Sequence, residues 1–222
     1  MSAAEVKSAL RAVSSPERKK ANEWFFKTGP GEYGEGDKFI GVSMGPLRKV
    51  SKRFRTLADE ELDKLLSSSI HEERLCGLLI MVDQFEKAKQ DERREEIYRK
   101  YLRAIDDGVV NNWDLVDLTA HKIVGAWLID KDRTPIYELA KSGQLWHERV
   151  AVLACFWFIR QDDFEDVMSI AEILVDHPHD LIHKAVGWML REVGKRNRDV
   201  EERFLKRFQN TIPRSMFRYA ID

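Results

Sequence analysis

One helical segment recurs four times along this chain. Glu73-Arg74-Leu75-Cys76, Trp113-Asp114-Leu115-Val116, Glu148-Arg149-Val150-Ala151 and His183-Lys184-Ala185-Val186 align with Arg74, Asp114, Arg149 and Lys184 in one column, at steps of 40, 35 and 35 residues. Steps of this length accommodate one helix pair per unit. A lone pair cannot bury its apolar face, so such units must stack, and the expectation is an all-α, curved, right-handed solenoid of two-helix repeats with a concave inner surface. Apolar residues three or four apart in Leu62/Leu65/Leu66, Leu75/Leu78/Leu79/Val82 and Ile170/Ile173/Leu174 support helices, about ten to twelve in all, whereas alternation of the strand kind is nowhere sustained.

Stacked repeats place equivalent positions on one face, which turns four residues into a constellation. Relative to the aligned column, Trp113 sits at −1, Arg149 at 0, Asp117 at +3 and Trp188 at +4, offsets that share a helix face. A flat aromatic beside a carboxylate suits a substrate carrying positive charge. The competing reading is packing, because a tryptophan at helical spacing also fills cores; Trp24, Trp127, Trp146 and Trp157 are assigned there.

The 222 residues are 43% hydrophobic, enough for one sizeable domain over residues 1–222. No apolar run is long enough to span a membrane, and Met1 to Arg11 lacks the layout of a secretory signal, which points to a cytoplasmic protein. Cys76 and Cys155 are far apart and read as buried small hydrophobes. The net charge of −1 hides uneven placement: Arg191 to Arg218 holds nine Lys or Arg against four acids. A second basic run, Arg48, Lys49, Lys52, Arg53 and Arg55, follows Pro46. Either run is a solvated face or a grip on an anionic backbone; on the second reading Arg48 and Lys52 of one and Arg191 and Lys195 of the other contact DNA, with Lys184 before them.

Two patterns suggest other chemistry and fail. Six of the twelve glycines lie in the loop 29–45, but no Gly-Lys-Ser/Thr opens a helix there, and Glu32, Glu35 and Asp37 would repel a phosphate. His177, His179 and His183 cluster without the remaining ligands of a zinc site, so no metal is expected.

The stretches NNWDLVD (111–117), WHERVAVLACFWFIR (146–160) and HDLIHKAVGWMLREVGKR (179–196) resemble the DNA alkylation repair family, the AlkD type of HEAT-repeat DNA glycosylase. The similarity runs from about Trp24 to Ala220 and is most specific in the WxxxD of Trp113 and Asp117 and in the HKAVGWMLREVGKR run; the turn Phe39 to Val42 leading into Leu47-Arg48-Lys49 is also similar. The resemblance implies a HEAT-like solenoid with a concave DNA-binding face. It further implies a monomeric glycosylase that hydrolyses the N-glycosidic bond of N3- or N7-alkylated purines in duplex DNA, without base flipping, metal or cofactor. By residue matching, Trp113 and Trp188 flank the lesion, Asp117 is the catalytic carboxylate and Arg149 shares the cleft. Members often carry two arginines after the tryptophan, whereas here Trp146 is followed by His147, Glu148 and a single Arg149. A non-catalytic binder of damaged or branched DNA and a protein-binding repeat scaffold remain the alternative readings.

Overall fold

The structure, a computed structural model, describes residues 1–222. Its helices in chain order are α1 (Ala3–Arg11), α2 (Pro16–Phe25), α3 (Met44–Arg53), α4 (Asp59–Leu66), α5 (His71–Lys87), α6 (Asp91–Asp106), α7 (Trp113–Asp117), a π-helical turn (His121–Gly125), α8 (Ala126–Leu128), α9 (Thr134–Ala140), α10 (Leu145–Ile159), α11 (Glu165–Ile173), α12 (Asp180–Gly194), α13 (Arg198–Arg207) and α14 (Arg214–Ile221). A single parallel bridge between Lys38 and Ile70 is the only extended pairing. The count exceeds the ten to twelve expected, in part because the segment from Trp113 to Leu128 is divided between α7, the π turn and α8. No helix is long and apolar enough to cross a membrane.

The chain divides into two compact units, Met1–Leu115 and Val116–Asp222, the boundary falling inside α7. In the first, α5 is central: α1, α3, α4 and α6 all pack on it. Its apolar side chains Leu75, Leu78, Ile80, Met81 and Phe85 are buried, and so is its whole first turn, His71-Glu72-Glu73-Arg74. Four ionisable residues have been taken out of water together. That is tolerable only where each finds a partner. Glu73 receives Lys7 and Arg11 from α1 at 3.1 and 3.0 Å and the Ser68 hydroxyl at 2.6 Å.

Glu72, only 2% exposed, accepts four hydrogen bonds: from the backbone N–H groups of Ile40 (3.0 Å), Gly41 (2.9 Å) and Val42 (3.1 Å) and from the Asn22 amide (3.2 Å). One carboxylate thereby fastens the turn before α3, and α2 with it, to the central helix. Gly41 has φ +86° and a Cβ there would run into the Ser15 carbonyl, so glycine is required.

In the second unit α10 occupies the matching position, with the π turn, α8, α9, α11 and α12 around it. Neighbours on every side account for a helix apolar all round, from Val150 to Ile159. Its first turns again bury a charged run, His147-Glu148-Arg149. Two glycines permit close approach: a Cβ on Gly125 would strike the Ala154 carbonyl of α10, and one on Gly187 of α12 would strike the Met216 carbonyl of α14.

Three of the four aligned residues share an environment. Arg74, Asp114 and Arg149 are each about 5% exposed or less and ion-paired with Asp37, His71 and Asp117 respectively. Lys184 departs from the column: it is half-buried and pairs with Asp180 of its own helix at 2.6 Å.

Candidate functional site

Within the second unit, Asp117 closes α7 and Arg149 rises from the start of α10 to meet it. The guanidinium donates from Nε to Oδ1 and from Nη2 to Oδ2, both at 2.8 Å, a bidentate fork that fixes the carboxylate in position and plane. The third nitrogen, Nη1, donates to the Leu181 carbonyl, so the same side chain also grips the first turn of α12. Accessibility separates the two partners: the Arg149 side chain is 6% exposed and that of Asp117 is 15% exposed. The acid is the more exposed member of the pair, with the guanidinium behind it.

Trp188, half-buried on α12, has its ring orientation set by polar and aromatic neighbours. Its indole N–H donates to Glu192 at 3.0 Å, and Glu192 is held in turn by Lys195 at 2.7 Å. The ring lies tilted against Phe156, 5.8 Å between centroids, and Phe156 meets His121 edge-on at 5.3 Å. His121 opens the π turn and is buried; burial, reinforced by Lys122 and Arg160, lowers its pKa to about 4, so the imidazole is neutral near pH 7.

In the first unit, Trp113 heads a column of rings. It stacks on Phe26 (5.2 Å, 22°), Phe26 on Phe39 (5.1 Å, 15°) and Phe39 on the imidazole of His71 (4.5 Å, 25°), while Phe25 packs edge-on against Trp113. His71 is clamped between Asp37 (2.8 Å) and Asp114 (2.9 Å), and Asp37 also accepts from Arg74 at 2.6 Å. Burial opposes charge on His71, but Asp114 and Asp37 outweigh it and raise the pKa to about 9. Burial likewise opposes ionisation of Asp37, yet His71 and Arg74 prevail and its pKa is lowered.

These opposite shifts define a pH window. A histidine whose folded pKa is raised contributes stability that is complete below its unfolded pKa of about 6.5 and is lost as pH rises through 9; the lowered Asp37 contributes stability above its ordinary range that is lost on acidification. Melting temperature should therefore fall between pH 7 and pH 9.5 in the native protein. His71→Gln should melt lower at pH 7 and show a smaller decline over that interval; an equal decline would remove His71 from the titration.

The other expected site residues are distributed as follows. Arg48, Lys49, Lys52 and Arg53 are exposed on α3, a helix without an acidic residue that buries Leu47, Val50 and Ser51 on its other side. Lys195 is exposed, and Arg191 is half-buried with its Nε unbonded. The glycine-rich loop binds its own exposed carboxylates: Glu32 accepts from the Gly29 N–H and Glu35 from the Gly31 N–H, each at 2.8 Å, occupying donors a phosphate would need. The histidine cluster is internally satisfied, His177 and His179 accepting from the backbone N–H groups of His179 and Leu181 and His183 bonding Ser215, and no group of metal-ligating side chains converges anywhere.

Both cysteines are buried. Burial and Glu73 push the Cys76 thiol up to about 12, and burial raises Cys155 as well, so neither is a nucleophile. Trp127, Trp146 and Trp157 are half-buried, but the assignment of Trp24 to the core is wrong. It is 75% exposed, because α2 turns only Asn22 into the protein. Linear spacing also missed Phe26, His71, His121 and Phe156. The signal for His71 was present: charged residues open a helix that runs apolar from Leu75 to Val82.

The sequence profile of the DNA alkylation repair enzyme family matches residues 6–222. A solved structure described as a predicted DNA alkylation repair enzyme from Enterococcus faecalis has the same fold, with a TM-score of 0.69 and 16% identity over 93% of this chain and 94% of that one. No curated protein matches the sequence. With nearly its whole length covered by the family profile, the chain belongs to the DNA alkylation repair enzyme family.

Proposed function

We propose that the protein is a DNA glycosylase that hydrolyses the N-glycosidic bond of cationic N3- or N7-alkylated purines in duplex DNA, with the base left unflipped. Membership of the family supports an enzymatic role in DNA repair. The observation that carries the finer reading is Asp117, a carboxylate locked by a buried arginine fork yet itself part-exposed, in the same unit as an oriented, half-buried Trp188.

An alkylated N3 or N7 already carries formal positive charge. As the C1′–N bond breaks, the bonding pair neutralises the departing base, so no strong general acid is demanded. The barrier lies in the oxocarbenium character that grows on the sugar, and a fixed carboxylate stabilises it. Water then adds to C1′ and surrenders a proton, with Asp117 orienting it. Tryptophan faces attract cations by about 0.5–2 kcal/mol each, so Trp188 favours the charged nucleoside over normal DNA, the role that the family resemblance also implies for Trp113. Arg149 acts through Asp117 as a positioning residue. The exposed basic residues Arg48 and Lys52, with Lys184, Arg191 and Lys195, hold phosphates irrespective of sequence.

The test is direct. Incubation with methylated duplex followed by chromatography should show free 7-methylguanine or 3-methyladenine, and unmodified duplex should release nothing; binding to methylated duplex without release would leave a non-catalytic binder. Affinity should fall steeply with salt, and Arg48→Ala with Lys52→Ala should flatten the log-log slope by about 2, since each phosphate contact contributes about 0.9. A slope unchanged in the double variant would remove α3 from the interface.

A further inference from the structure

We propose that α2 is a DNA-docking element whose Trp24 stacks on the base uncovered beside a missing base, so that the protein retains its abasic product; this rests on the DNA-directed function above.

The helix is under-used by the fold. Of its ten residues only Asn22 is buried, fastened through its amide to Glu72, and the apolar end points outward, Trp24 75% and Phe25 54% exposed. Leaving an indole in water forgoes the burial free energy that makes tryptophan worth placing in a fold, so packing does not account for it. Met1, Val13, Ile173, Phe217 and Ile221 are also exposed, but Trp24 and Phe25 are the adjacent aromatic pair.

Charge identifies the occupant. The Lys27 ammonium lies 5.4 Å from the Trp24 ring centroid and 4.0 Å from Glu32, and Lys20, one helical turn before Trp24, is exposed on the same face, while Arg18 and Lys19 are exposed elsewhere on the helix. Glu17 and Glu23 are the only acids of the helix, and Glu23 is already engaged by Lys19 at 3.8 Å. Flat aromatic surface flanked by cations matches a nucleobase flanked by phosphates. Position agrees: Phe25, next to Trp24 in the chain, packs edge-on against Trp113 at 5.6 Å, so α2 ends beside the ring column that bears a proposed lesion contact.

In an intact duplex every internal base face is covered by its neighbours, and an indole has nothing to stack on. Release of the alkylated base changes this. The hole at C1′ uncovers the faces of the bases above and below it, and the ligand class is therefore duplex DNA lacking one base. Tight retention of that product shields it until an enzyme that cleaves or rebuilds abasic strands displaces the protein.

Fluorescence anisotropy with one short labelled duplex, intact or carrying a tetrahydrofuran abasic analogue, tests this in the native protein, Trp24→Ala and Trp24→Phe. The native protein should prefer the abasic duplex. Trp24→Ala should weaken that complex by about tenfold while leaving the intact duplex and the salt slope unchanged, and Trp24→Phe should recover most of the loss. The melting temperature should not move, since the side chain is exposed. Equal affinity of Trp24→Ala and native protein for the abasic duplex overturns the proposal, as does equal weakening on both duplexes, which marks a groove contact instead of stacking. Trp24-dependent dimerisation in sedimentation velocity also overturns it. Failure of the native protein to bind either duplex defeats the DNA reading itself, a distinct result.

Discussion

Asp117→Asn should lower the rate of base release by about 100-fold or more while leaving affinity for methylated duplex nearly intact. Removal of one fixed electrostatic stabiliser from a hydrolytic site costs roughly 10²–10³ in rate. Asparagine keeps the shape and one acceptor oxygen, so the Arg149 Nε or Nη2 bond survives in part, but the negative charge is lost. The buried guanidinium then faces a neutral amide, which costs stability too. The kinetic comparison therefore belongs well below the melting temperature of the variant. Arg149→Lys separates the two effects: it retains positive charge but cannot form the fork, so it should reduce release by misaligning Asp117 rather than by removing it. Single-turnover release from methylated duplex, measured beside anisotropy for binding, reads both. Undiminished release by Asp117→Asn would exclude the carboxylate from the chemistry.

The largest effect on stability should come from Glu72→Ala. Its two oxygens satisfy three backbone N–H groups and one side-chain amide at a site 2% exposed. Truncation strands those donors, and at about 1–3 kcal/mol for each buried unsatisfied group the loss should reach about 3 kcal/mol or more. For a chain of this size that corresponds to a melting temperature lower by roughly 6–12 °C. Glu72→Gln should fall between, because its oxygen can keep the partners of Oε1 while its amide nitrogen meets the Ile40 N–H donor to donor. The damage should spread: Phe39, next to the released turn, carries the stack from Phe26 to His71, so Trp113 fluorescence should become more solvent-exposed. Calorimetry of the two variants decides the order; a Glu72→Ala protein that melts with the native one would show that water replaces the carboxylate.

The helical class was legible because periodicity is a local property. Arg74, Asp114 and Arg149 were visible as one column from spacing alone, and all three prove to be buried and ion-paired. Spacing carried no information about their partners. Asp37 and His71 are 34 residues apart, Asp117 and Arg149 32, and only folding brings either pair within hydrogen-bond distance. Trp24 was misread for a related reason: it has the composition of a core residue, and nothing in the local sequence shows that α2 turns its apolar end away from the protein.

Residue order by itself determined that this chain is helical, which follows from a period of 3.6 residues, and it put Arg74, Asp114, Arg149 and Lys184 at regular steps along the chain. Tertiary structure decided which charges are buried and by whom they are answered. It made Arg149 the support behind Asp117, placed His71 between two carboxylates, and left Trp24 in water. Burial and pairing depend on segments far apart in the chain, and the cost of an unpaired buried charge selects the arrangement in which each one meets its counterpart.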